Sequence, residues 1–294
     1  MIRYTITKQE LEQKISAVSS TWLRNARKKT AGFRRLRRYT GKTGTWGKIK
    51  SVYMAIQYNK CAYCEQKSEG GIIGAINHDI EHYRPKGTVK VWPDEKTKAE
   101  LRLGYKFATG KQSRSGYYLL AYNILNYITA CKGCNSMLKM NYFPISGSRR
   151  VTSSDDVDRL AEGPLLIYPL SDIDDDPERI IGFEGTVPVP IISTGYKKKR
   201  ARVTIDFFRL LVGREDLATQ RALVIKALYR AYQDRRISDL SKRRDAELTL
   251  RDARRDSSPH ANCARCFLAV CESHPGMARD YYLAAVAYLE SKNY

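Results

Sequence analysis

The sequence predicts an α+β protein built on a four-cysteine zinc clip, with α-helices before and after it. Three observations carry that expectation. Two Cys-x-x-Cys pairs, Cys61-Ala62-Tyr63-Cys64 and Cys131-Lys132-Gly133-Cys134, offer four thiolates for one closed tetrahedral site. β-Branched and alternating residues around His82 predict short strands between the pairs. Apolar residues at helical spacing recur near both ends of the chain.

From the N-terminus, Thr7-Lys8-Gln9-Glu10 has the form of a capping box, and Leu11, Ile15, Val18 and Trp22 follow at helical spacing, so a first helix starts near Thr7. Its far end turns basic: between Trp22 and Lys50 there are eleven Lys or Arg, with Phe33, Tyr39 and Trp46 interleaved and no acid. The plainer reading is a solvated helix end and loop. The favoured one is a phosphate-tracking arm containing Arg34, Arg35, Arg37 and Arg38, because cations without acids repel one another until a polyanion neutralises them. Val52, Tyr53 and Ile56 share a helical face leading to the first cysteine pair. Ile72-Ile73, Ile76, Ile80 and Val89-Lys90-Val91-Trp92 suggest strands around His82 paired as a hairpin, followed by an exposed excursion over 93–111. The apolar run 117–122 fits a strand or a buried helix, and a short helix follows from about Asn135, with Gly133 giving the metal turn its backbone freedom.

A change of composition near 150 divides the chain into a basic helical arm (1–54), a core with the zinc clip (55–150) and a small β unit followed by helices (151–294). In the last part 165–167, 180–183 and 187–192 read as strands, with turns at Asp174-Asp175-Asp176-Pro177 and Glu184-Gly185. Gly213 caps a helix with Glu215 and Asp216 in its first turn and Leu217, Val224, Leu228 and Ala231 on one face; Ser258-Pro259 starts another.

A formal charge of +21 over 294 residues implies a polyanionic partner, either nucleic acid or an anionic membrane surface. Membrane is the weaker choice: the sequence has no apolar run of about eighteen residues and no apolar centre of a signal peptide near its start. Seven cysteines, four of them in metal spacing, do not form a disulfide framework, so a reducing cytoplasm is expected. The remaining group, Cys263, Cys266, Cys271 and His274, is compatible with a second zinc knuckle, but a helix starting near Pro259 would place Cys263, Cys266 and Val270 on one apolar face instead.

The inner cysteines of the clip are separated by 66 residues, so the insert must carry something. It carries Glu81-His82, then Asn126 five residues before Cys131, with Asn135 directly after Cys134. On these residues the sequence resembles the HNH nuclease family. More narrowly, IEHYRPK at 80–86, YYLLAYN at 117–123, ACKGCN at 130–135 and Phe143-Pro144 are similar to the HNH proteins of Septu and retron-associated anti-phage systems. PLLIYP at 164–169, DDDP at 174–177, GFEG at 182–185 and TIDFFRL at 204–210 extend the resemblance over roughly residues 55 to 220.

The resemblance implies a ββα-metal (HNH) core and an endonuclease, with DNA favoured, acting in anti-phage defence beside an ABC-type ATPase. It implies that His82 is the general base, a role worth roughly 10² to 10⁴ in rate. Glu81 and Asn135 would be oxygen ligands for Mg²⁺ or Mn²⁺, and Asn126 the residue that pins the opposite loop, with Asn123 its alternative and Asp79 a runner-up ligand. The zinc is structural, since four thiolates leave no open position. Arg84, Lys86 and Lys139 flank the centre as phosphate contacts. Two other readings stay open: a ribonuclease acting on a structured RNA such as tRNA, and a non-catalytic zinc-dependent nucleic-acid-binding module.

Overall fold

The capping box at Thr7 is formed, Glu10 N–H donating to Thr7 Oγ1 at 3.2 Å and Thr7 N–H to Glu10 Oε2 at 2.8 Å. It starts α1 (Lys8–Val18), which buries Leu11 and Ile15. The computed structural model describes residues 1–41, 44–68, 74, 76–152, 157 and 161–293. The expected first helix is two helices. Ser19 is extended, and α2 (Trp22–Leu36) begins after Ser19-Ser20-Thr21, residues whose hydroxyls compete for backbone hydrogen bonds. Helix α2 buries Trp22, Ala26 and Phe33 and ends at Arg37 in the left-handed region (φ 51°). Helix α3 (Lys50–Ile56) buries Val52, Tyr53 and Met54 and leads into the first cysteine pair.

Strand β1 (His78–His82) pairs antiparallel with β2 (Tyr127–Cys131), in a register that sets His78 opposite Cys131 and His82 opposite Tyr127. The expected hairpin with 89–92 is not formed: Val89 bridges to Ser113 instead, and Ile72-Ile73 lie outside the described residues. The excursion at 93–111 contains α4 (Glu95–Leu101), whose Asp94 cap accepts from Thr97 N–H. The run 117–122 is neither strand nor α-helix but includes a buried 3₁₀ turn, Tyr118–Leu120. After β2 the chain winds into a π-type helix, Gly133–Lys139, giving the order strand, strand, helix.

Residues 165–167 are buried but form no strand, because side chains take up their backbone: Ile167 N–H donates to Thr204 Oγ1 at 3.1 Å and Tyr168 N–H to Asp174 Oδ2 at 2.8 Å. Strands β3 (Ile181–Glu184) and β4 (Val187–Pro190) form a hairpin turned at Gly185 (φ 59°), which suits glycine. Five helices follow: α5 (Gly195–Phe207), α6 (Glu215–Asp234), α7 (Leu240–Ala253), α8 (Ala261–Ser273) and α9 (Pro275–Ser291).

Two buried apolar clusters result. The first runs from Met1 to Ala261 and surrounds the clip and the β1–β2 pair; the second joins Phe183 to the faces of α6–α9. The first cluster is continuous across 54/55 and 150/151, so those boundaries mark changes of composition, not separate cores. No described helix is long and apolar enough to cross a membrane.

Candidate functional site

The four clip cysteines converge. Their sulfurs all lie within 4.8 Å of one another, and Cys64 Sγ is 3.9 Å from Cys131 Sγ. Tetrahedral zinc with Zn–S bonds of about 2.3 Å requires sulfurs about 3.8 Å apart, so the tetrad fits that ion. Ala62 N–H donates to Thr129 O at 3.1 Å, tying the first knuckle to β2. Arg214 Nη1 reaches Cys134 Sγ at 3.7 Å from the start of α6. The left-handed backbone of this region falls on Glu65 (φ 61°), not on Gly133, where an added Cβ would make only ordinary contact with Arg214.

At the other end of β1, Glu81 and His82 point to opposite faces of the strand and both are buried. The His82 ring lies edge-on between Trp46 and Tyr127, with centroids 4.8 and 4.9 Å away, and its Nε2 is 3.1 Å from Ala121 O. Burial, reinforced by Lys86, holds its pKa well below the ordinary histidine value. Glu81 Oε1 accepts no hydrogen bond, yet Lys139 Nζ stands 3.1 Å from it as an ion pair outside hydrogen-bond geometry. Burial raises the carboxyl and lowers the ammonium, while their attraction favours both charges.

Asn126 is fully buried and clamps two segments. Its Oδ1 accepts Arg84 N–H at 2.8 Å, and its Nδ2 donates to Arg84 O at 3.0 Å and Leu120 O at 3.2 Å. Asn123, the alternative, caps the adjoining turn by accepting Leu125 N–H. Asn135 is half-buried one turn before Lys139 on the π-type helix, and its side chain makes no hydrogen bond among the described residues. Lys86 and Lys139 act electrostatically on both Glu81 and His82, whose side chains leave β1 on opposite faces; among the described residues no hydrogen bond joins Asn135 to either. Asp79 faces Lys50 at 3.9 Å, and the neighbouring His78 is buried.

Two expected phosphate contacts are corrected. Arg84 is 2% exposed, its Nε 3.3 Å from Glu162 Oε2, and Lys139 is 0% exposed against Glu81, so both are interior ion-pair partners. Lys86 is half-buried, its ammonium 4.7 Å above the Trp46 ring. Arg34, Arg35, Arg37 and Arg38 are exposed at the end of α2. Cys263, Cys266 and Cys271 lie along α8, Cys263 Sγ facing Gly185 O at 3.5 Å.

Sequence reasoning did not single out Ala121, whose carbonyl meets His82, or Arg214. The first acts through its backbone, which no side chain reports; the second carried no signal beyond its place after Gly213. A hard divalent cation suits the oxygen chemistry of Glu81 and Asn135, but the Lys139 ammonium stands 3.1 Å from Glu81 Oε1, so such a cation would have to displace it. No protein-family model matches the chain, and none of the curated proteins or solved structures compared with it matches either.

Proposed function

We propose that the chain is a metal-dependent HNH-type endonuclease that hydrolyses phosphodiester bonds, with DNA favoured as substrate. The observation that carries this reading is the setting of His82. A carbonyl oxygen only accepts, so Nε2 beside Ala121 O holds the ring hydrogen and Nδ1 keeps the lone pair. Because burial keeps the ring neutral, the basic form is the resting form at pH 7. Nδ1 takes the proton from the water that attacks phosphorus, and Lys86 brings positive charge to the phosphate. Asn126, by gripping Arg84, holds the end of β1 and with it the imidazole. Glu81 and Asn135 would hold Mg²⁺ or Mn²⁺, which supplies charge stabilisation to the phosphoryl oxygens and the leaving 3′ oxygen.

The exposed arginines of α2 extend the cationic surface beyond the centre and suit a nucleic-acid backbone. A role in anti-phage defence beside an ABC-type ATPase rests on the sequence resemblance alone. The burial of Glu81 and His82 favours a second reading, a zinc-dependent nucleic-acid-binding module without catalysis.

Plasmid, single-stranded DNA and total RNA digested side by side with Mg²⁺ or Mn²⁺ test both readings and distinguish DNase from ribonuclease. Cleavage by the wild type, lost in His82→Ala with binding unchanged, is the expected result. Binding without cleavage under every condition would leave the second reading.

A further inference from the structure

Helix α6 brings a guanidinium to the clip at its first turn. Arg214, its N-cap residue, grips Asp216 with Nε and Nη2 at 2.9 Å each and turns Nη1 toward Cys134 Sγ at 3.7 Å. Four thiolates around a divalent ion carry a net charge of −2, and Arg214 Nη1 is turned toward one of them. The positive end of a 20-residue helix adds to the match.

We propose that Arg214, held in place by Asp216, and the N-terminus of α6 supply positive charge to a dianionic zinc–tetrathiolate centre. Zinc binding and the docking of the C-terminal helices are thereby coupled. Helix α6 can transmit this, since Leu217 belongs to the first core while Ala222, Ile225 and Leu228 belong to the second. Coupling is reciprocal, so zinc should protect the start of α6 as strongly as α6 tightens zinc. The proposal rests on the metal reading of the four cysteines and not on catalysis.

The test is zinc affinity of the full chain measured against a chromophoric chelator. Arg214→Gln should weaken zinc about 10- to 100-fold, as loss of a partner to a metal ligand does, and Arg214→Lys should recover part of it. Cobalt-loaded Arg214→Gln should keep the sulfur-to-metal absorption of the wild type, showing an intact ligand set. Unchanged affinity in Arg214→Gln would overturn the proposal. An equal loss in Asp216→Asn would also overturn it, assigning the effect to the Arg–Asp pair. If the wild type takes up neither zinc nor cobalt, the metal reading falls with it; if metal binds and the arginine is silent, only the counter-charge falls.

Discussion

Replacing Lys139 by methionine separates an interior ion pair from a surface phosphate contact. The Lys139 side chain is 0% exposed and its Glu81 partner 7%, with 3.1 Å between their charged atoms. Removing one member of such a pair strands the other charge, which typically lowers stability by about 3–5 kcal/mol. For a chain of this size that is a fall in Tm of roughly 2 °C or more per kcal/mol. Lys139→Met should therefore unfold about 6–10 °C below the wild type. The double variant Glu81→Gln/Lys139→Met should recover most of the loss, because the stranded carboxylate is gone. Urea unfolding of wild type, both single variants and the double variant, all zinc-loaded, closes the cycle and should give a coupling of at least about 2 kcal/mol. A Lys139→Met protein as stable as the wild type that bound DNA more weakly would refute the interior assignment.

Three further outcomes are expected. Asn126→Ala strands Arg84 N–H and O and Leu120 O, so it should destabilise by roughly 2–4 kcal/mol and lower nuclease turnover more than substrate affinity; equal stability by urea titration would contradict the clamp. The cleavage rate should show no inflection near pH 6.5, because His82 titrates well below that value, and Lys86→Gln, by removing a cation, should move the acid limb to higher pH. His260, driven by burial and then by Arg221 down to about 3, binds a proton in the unfolded chain before it does in the folded one. Its contribution is complete above pH 6.5 and is lost as pH falls toward 3, by at most about 1.4 kcal/mol per unit, so His260→Gln should flatten the pH dependence of urea midpoints between 6.5 and 4.5.

What the sequence disclosed was local. The Thr7 capping box needs only three residues of separation, and each cysteine pair only two between its ligands, so composition and spacing suffice to read them. The partner of β1 lies some 45 residues downstream, and Val89-Lys90-Val91-Trp92 is just as strand-like, so nothing local chooses between them. Helix α4 buries none of its residues and has no apolar stripe; Asp94 alone marked it. Arg84 and Lys139 look from the sequence like phosphate contacts because their acids are remote, Glu162 being 78 residues from Arg84. At the site, side-chain identity was legible, whereas depth was not, since burial of Glu81 and His82 depends on Trp46, Tyr127 and Lys139 arriving from three separate segments.

Charge balance supplies the last test. Around His82 the near ionisable groups are one carboxylate, Glu81, and two ammoniums, Lys86 and Lys139, and each lysine lowers the histidine pKa. That leaves about one positive charge unmatched in a mostly buried place, which a bound anion would neutralise. Phosphate is the relevant probe, since the proposed substrate presents phosphodiesters. An anion present at about ten times its dissociation constant adds about 1.4 kcal/mol to stability, or roughly 2–3 °C in Tm for a chain of this size. Sodium phosphate should produce that rise in the wild type, sodium chloride of equal ionic strength should not, and Lys86→Gln should abolish most of the difference, while Lys242→Gln on exposed α7 should leave it intact. If phosphate raised the Tm of Lys86→Gln as much as that of the wild type, the unmatched charge would lie elsewhere and the substrate assignment would lose its electrostatic support.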